Sequence, residues 1–124
     1  MAKLIQLKNI KDKRGNLCVV EGLKDIPFEI KRIFYMYGVP NPRIERGGHR
    51  HKKTRMLLIP LHGSCEVNVE TEEQVDIFAL EFPDWGLLLE PEDWRVMTDF
   101  RNDAVLLVLA SEYFDADDYI DEKN

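Results

Sequence analysis

The chain has 124 residues, 44% hydrophobic and 32% charged, with 17 Lys and Arg against 23 Asp and Glu for a net charge of -6. That length and composition fit one globular domain over residues 1–124 with a single substantial core. The acidic balance argues against a general nucleic-acid binder, and no apolar run approaches membrane-spanning length.

Cys18 and Cys65 are too few and too far apart for a metal knuckle or a redox pair. With no long apolar run after Met1, a reduced cytoplasmic location is expected. Residues 4–10 alternate loosely and predict a strand; residues 12–16 predict a turn with Gly15 left-handed; residues 17–21 return, so the two strands form a hairpin. Residues 22–27 read as a loop. Residues 30–39 predict a strand with Arg32, Phe34 and Met36 on one face and Ile33, Tyr35 and Tyr37 on the other, stopped by Pro40-Asn41-Pro42.

The stretch 46–53, Arg-Gly-Gly-His-Arg-His-Lys-Lys, follows. Residues 56–61 are nearly all apolar, which suits a strand buried on both faces. His62-Gly63-Ser64 reads as a turn and residues 65–70 alternate cleanly. After a turn at 72–74, the segments 75–80, 86–89, 94–98 and 104–110 complete a series of short strands. Residues 113–120 look helical, with Asp115 able to cap a last turn, and the acidic stretch 115–122 reads as solubilising surface. Short strands, regular turns and almost no helical period predict an all-β antiparallel sandwich or barrel, an architecture that encloses small-molecule sites.

His49 and His51 lie two positions apart, so in a strand both imidazoles face the same way. Gly47 and Gly48 allow close backbone approach, and Arg46, Arg50, Lys52, Lys53 and Arg55 make a local positive field. The same residues also fit a solvated strand edge guarded by lysine. His-X-His followed by a turn glycine, here Gly63, is the first half of the cupin metal pattern. Its remaining parts are absent: no carboxylate occurs in residues 52–56 and no histidine in residues 86–96, where only Glu90, Glu92 and Asp93 offer oxygen. Two imidazoles among cations make a poor divalent site, so no metal or other cofactor is expected. His62 reads as a solvated loop residue. A neutral imidazole, its pKa held down by nearby cations, instead suits proton abstraction beside a carbonyl.

Ile30-Lys31-Arg32-Ile33-Phe34-Tyr35, the stretch 46–53, Leu61-His62-Gly63-Ser64-Cys65, residues 108–114 and Asp118-Tyr119-Ile120, preceded by Asp12-X-Arg14-Gly15-X-Leu17, resemble the nucleotide-sugar 3,4-ketoisomerases in order and spacing. These are metal-independent cupins acting on dTDP-4-keto-6-deoxyglucose, and the resemblance covers nearly the whole chain. It implies a cupin-type antiparallel β-barrel (a jelly roll, or double-stranded β-helix) with a short C-terminal helix. It also implies a homodimer that exchanges N-terminal strands and a place in bacterial surface-polysaccharide deoxyamino-sugar synthesis. By the same match the keto group of a dTDP-linked 4-keto-6-deoxyhexose moves from C4 to C3 through an enediol. His51 would take the C3 proton, His49 would assist or return a proton at C4, and Tyr37, the third catalytic candidate, would line the sugar pocket and relay a proton or bond the keto oxygen. Arg46 and Arg95, with Arg14 as a further candidate, would hold sugar or diphosphate oxygens. Tyr35 and Tyr113 are expected to be structural and Trp94 to belong to the core.

The sequence departs from the family at Arg50, commonly alanine, at Met56 and Leu88, commonly polar and expected to face the pocket, and at Arg95, often histidine. Arg50 is expected to point outward. The Arg95 position bears on which face of C4 is reprotonated. A non-catalytic sugar-nucleotide-binding barrel and a metal-dependent cupin enzyme are the alternatives.

Overall fold

The structure is a computed structural model and describes residues 1–123. Two long strands carry the architecture: β6 (Met56–Glu70) and β9 (Trp94–Ala110). They pair antiparallel from Met56 opposite Ala110 to Glu70 opposite Trp94, and the register slips between Pro60 and Glu66. The pair bends there. Gly63 (φ +65°) crosses so close to β9 that a Cβ would lie 2.4 Å from the Arg101 carbonyl oxygen. On the facing strand, Asp99, Asn102 and Asp103 take the left-handed conformation that short polar side chains tolerate.

The bend lets one strand pair serve two sheets. In the first, the Met56 end of β6 pairs with β8 (Trp85–Leu89), which pairs with β1 (Lys3–Gln6). On the other side, the Ala110 end of β9 pairs with β4 (Arg32–Met36). In the second sheet, the Glu70 end of β6 pairs with β7 (Val75–Leu80). The Trp94 end of β9 pairs with β5 (Arg46–His51), and β5 with β10 (Tyr119–Ile120). The hairpin of β2 (Lys8–Asp12) and β3 (Gly15–Val19) stands apart, as the turn residues predict.

Alternation sorts the apolar side chains into two layers. Met56 and Leu58 pack between the sheets with Val67, Leu89, Met97 and Val108. Leu57, Ile59, Leu88 and Leu109 face outward and are covered by Leu7, Ile26 and Phe28. The apolar run at the start of β6 is therefore buried on both faces. Full burial of one such side chain, as at Leu57, contributes about 1.5–3 kcal/mol. On β4 the predicted alternation holds: Met36 is buried while Ile33 and Tyr35 are exposed.

Four expected elements differ. His62-Gly63-Ser64 is not a turn between strands: residues 56–61 and 65–70 are parts of one bent strand, β6, in which His62 lies. Residues 4–10 are not one strand; the chain breaks at Leu7, whose side chain enters the outer layer and whose N–H donates to the Asp84 carbonyl at 2.8 Å. The segments 94–98 and 104–110 are halves of one bent strand, β9. Residues 113–120 form no regular helix, only a 3-10 turn at Ala116–Asp118. Asp115 caps it by accepting from the Asp117 N–H. The turn stops because Tyr119 and Ile120 are drawn into β10 opposite His51 and Arg50. Among the described residues no helix is long and apolar enough to cross a membrane.

Candidate active site

The site is built on β5. Register against β9 shifts between Gly47 and His49, a bulge made possible by Gly47 at φ +89°. A Cβ on Gly47 would lie 2.9 Å from both the Arg95 carbonyl oxygen and the Met97 Cε. This close approach sets His49 on the wall of a cavity of about 190 Å³, together with Arg46, Arg95, Tyr119 and an apolar group that includes Phe34, Met36 and Met56.

His51 lies beside the cavity lining rather than in it. Its side chain is fully buried, and its Nδ1 is 2.8 Å from Asp118 Oδ2. The other oxygen of Asp118 accepts from the backbone N–H groups of Lys52 (3.1 Å) and Lys53 (2.8 Å). The Thr54 hydroxyl donates to Oδ2. The His49 and His51 rings meet edge-on, with centroids 5.0 Å apart and planes at 85°. Tyr119 lies against both, at 4.8 and 4.6 Å. His51 Nε2 is buried and has no hydrogen-bond partner.

Burial, then the Arg95 charge, pushes the His51 pKa down to about 4 despite the hydrogen bond to Asp118. His49 is lowered for the same two reasons. Burial would raise the Asp118 carboxyl, but the bonds from Thr54, the Lys53 amide and His51 outweigh it and hold the pKa at about 2. At neutral pH both imidazoles are therefore uncharged, and His51 and Asp118 form a hydrogen bond from neutral imidazole to carboxylate.

The cation beside them is fixed. Arg95 is 1% exposed. Its Nε donates to the Asp93 carbonyl (2.8 Å), its Nη2 to the Glu90 carbonyl (3.1 Å), and its Nη1 meets Met56 Sδ at 3.5 Å. Burial lowers its pKa to about 10, which still leaves it charged at pH 7.

His49, Arg46 and Arg95 thus converge on one cavity, with His51 packed against it. Tyr37 does not join them. Strand alternation turns Phe34 and Met36 into the cavity and sends Tyr37 to the opposite side, 70% exposed. Arg14 sits on the β2–β3 hairpin in a local ion pair with Asp12, at 2.6 Å. Leu88 belongs to the outer apolar layer and cannot face the cavity, whereas Met56 does. Arg50 points away, and its Nε donates to the Glu122 carbonyl at 2.8 Å. Trp94 is half-buried, with Lys123 Nζ 5.9 Å from its ring centroid. Both Glu90 oxygens are taken by Arg55, at 2.8 and 3.0 Å. Among the described residues no three His, Cys, Asp or Glu side chains group to hold a metal ion.

Sequence reasoning missed Asp118, Thr54 and Tyr119 as parts of the site. Reading 115–122 as solubilising surface fails at Asp118, which is buried because four donors converge on it. The available signal was Tyr119-Ile120, a β-forming apolar pair inside an acidic run.

Residues 1–124 match the family described as FdtA: WxcM-like, C-terminal. A TDP-4-oxo-6-deoxy-alpha-D-glucose-3,4-oxoisomerase from Aneurinibacillus thermoaerophilus is 42% identical over 118 residues, 95% of this chain and 84% of that protein. The fold is also shared with solved structures. A mutant of the 3,4-ketoisomerase QdtA from Thermoanaerobacterium thermosaccharolyticum, in complex with TDP-4-keto-6-deoxyglucose, superposes with a TM-score of 0.93 at 45% identity, covering 98% of this chain and 87% of its own. The WlaRB TDP-quinovose 3,4-ketoisomerase from Campylobacter jejuni gives 0.92 at 39% identity, covering 98% and 92%.

Proposed function

This chain belongs to the FdtA (WxcM-like, C-terminal) family, and on that premise we propose that it is a nucleotide-sugar 3,4-ketoisomerase of cupin fold, acting in deoxysugar biosynthesis. Its substrate is a TDP-linked 4-keto-6-deoxyhexose. The observation that carries the chemistry is a neutral imidazole, His49, on a cavity wall beside a buried fixed cation, Arg95.

The reaction breaks the C3–H bond and makes a C4–H bond, while the hydroxyl proton leaves O3 and O4 gains one. Neutral His49 takes the C3 proton. The electron pair moves into a C3–C4 double bond, and negative charge develops on O4, where the Arg95 charge stabilises it. The resulting enediol collapses with its carbonyl at C3 as a proton returns to C4. His49 rather than His51 acts at carbon in this scheme, because His49 is the one that lines the cavity. His51 is its paired acid/base, packed edge-on behind it.

A cavity of about 190 Å³ is smaller than the roughly 300–1,000 Å³ of sites that hold whole ligands, so it takes the hexose and leaves the nucleotide outside. Met36, Met97 and Leu89 on its wall suit a C6 methyl better than a hydroxymethyl. Exposed Arg46 at its rim is placed for a diphosphate oxygen.

The enzyme works as a homodimer. Outward-facing Ile33 and Tyr35 on β4 and Tyr37 just beyond it, with Ile10 and Leu17 on the hairpin, leave apolar surface exposed that a second copy can cover. β1 pairs with β8 of its own chain, so of the N-terminal strands it is the separate β2–β3 hairpin, with Arg14 at its turn, that is free to exchange with a second copy. Free thiols at Cys18 and Cys65 fit a cytoplasmic setting.

Proton NMR of TDP-4-keto-6-deoxyglucose in heavy water with metal-stripped enzyme tests the reading. Loss of the C3 proton signal with growth of a 3-keto product is expected, and His49→Asn should abolish both. Absent exchange with TDP binding intact would make this a binding module. Exchange only on adding a metal would make it a metal-dependent enzyme. Light scattering of the eluted protein gives the oligomer.

A further inference from the structure

We propose that Asp118 is a positioning residue that locks His51 in the Nδ1–H tautomer, so that Nε2 keeps a bare lone pair as the proton-accepting side of the imidazole pair. The inference rests on the reading above that His49 and His51 move the protons.

A neutral imidazole carries one N–H, and an ionised carboxylate can only accept. With Asp118 Oδ2 2.8 Å from Nδ1, that nitrogen must hold the proton. The carboxylate cannot swing to another arrangement. One oxygen is pinned by the Lys52 and Lys53 amides at the end of β5, and the other takes the Thr54 hydroxyl. The backbone holds the same place, since the Asp118 carbonyl accepts from the Lys52 N–H at 2.9 Å. Beyond it, Tyr119 pairs with His51 in β10 and covers both imidazoles. The consequence appears on the far side of the ring, where Nε2 is buried and without a partner. The bare lone pair stays available to take on the proton that His49, packed edge-on against this ring with centroids 5.0 Å apart, removes from substrate.

Asp118→Asn tests the idea sharply. The two backbone N–H groups still require an oxygen, so the amide oxygen stays with them and the NH₂ takes the place of Oδ2. That NH₂ donates to Nδ1 and drives the proton onto Nε2, the reverse tautomer.

Long-range ¹H–¹⁵N correlation spectra of the full-length protein should show Nδ1 protonated and Nε2 bare at His51 in the wild type, and the reverse in Asp118→Asn. With TDP-4-keto-6-deoxyglucose, kcat should fall about 10²–10⁴-fold, the range seen when a carboxylate that orients a histidine is lost, with KM and TDP affinity within about twofold. A wild-type spectrum with the proton on Nε2 would overturn the proposal without recourse to any variant, so poor folding of Asp118→Asn does not protect it. An Asn variant that reverses the tautomer and keeps kcat within about threefold would overturn it equally. Failure of the ketoisomerase reading would show separately, as absent C3 exchange in the wild type.

Discussion

Acidification should destabilise this protein well above the pH at which carboxylates titrate, and His51 sets the size of the effect. Its pKa falls from 6.5 in the unfolded chain to about 4 in the fold. Between those values the unfolded chain binds a proton at His51 that the folded chain refuses, so stability is lost as pH falls from 6.5 toward 4. At about 1.4 kcal/mol for each pH unit the whole window is worth roughly 3 kcal/mol, a large part of the roughly 5–15 kcal/mol that holds a typical domain. His49 is shifted in the same direction and adds to the slope. Asp118 does not interfere: its pKa drops from 3.8 to about 2, so its contribution is lost only below the His51 window. Urea unfolding followed by Trp85 and Trp94 fluorescence at several pH values from 7.5 to 4.5 measures the slope, and His51→Gln isolates the His51 share. A wild-type free energy unchanged between pH 7.5 and 4.5, or an equal slope in His51→Gln, would refute the reasoning.

Gly47→Ala forces a side chain into a left-handed conformation and against the Arg95 carbonyl, so it should cost roughly 1–3 kcal/mol in urea unfolding and lower kcat by displacing His49. Arg95→Met removes a charge that depresses both imidazoles; their pKa values should rise and move the acid limb of the kcat/KM profile to higher pH, measured across pH 5 to 8. Arg55→Ala breaks the bidentate pair with Glu90, but the pair is only partly buried, so the unfolding free energy should drop by no more than about 1 kcal/mol in the same urea assay.

Much of the fold is legible from local pattern. The alternation at 32–36 and 65–70 and the unbroken apolar run at the start of β6 each specify which faces are buried, because side-chain direction in a strand is fixed by position. The hairpin is readable from Gly15. His49 and Arg46 stand out by residue type beside Gly47 and Gly48, whereas Arg95 has no such neighbour and enters only through the family resemblance. What could not be read is set by distant partners. Only the neighbouring Tyr119-Ile120 pair sets Asp118 apart from Asp115 and Asp117 locally; its burial comes from His51, Lys52, Lys53 and Thr54, far away along the chain. Leu88 illustrates the same limit in reverse, as a run of leucines at 87–89 does not say which of them faces the cavity. The bend that joins 94–98 to 104–110 was hidden because Asp99, Asn102 and Asp103 look like an ordinary turn.

The pairing of β1 with β8, and of β4 and β5 with β9, has a consequence for how the chain reaches its native state. Lys3 finds Leu88, Arg32 finds Ala110 and Tyr119 finds His51; almost no pairing outside the β2–β3 and β6–β7 hairpins can form early. Loop closure must be paid before such contacts return anything, which places the chain among the slow folders, on the order of milliseconds to seconds. While β6 and β9 await each other, their apolar faces lie open, so refolding yield should fall with protein concentration even where the finished fold is secure.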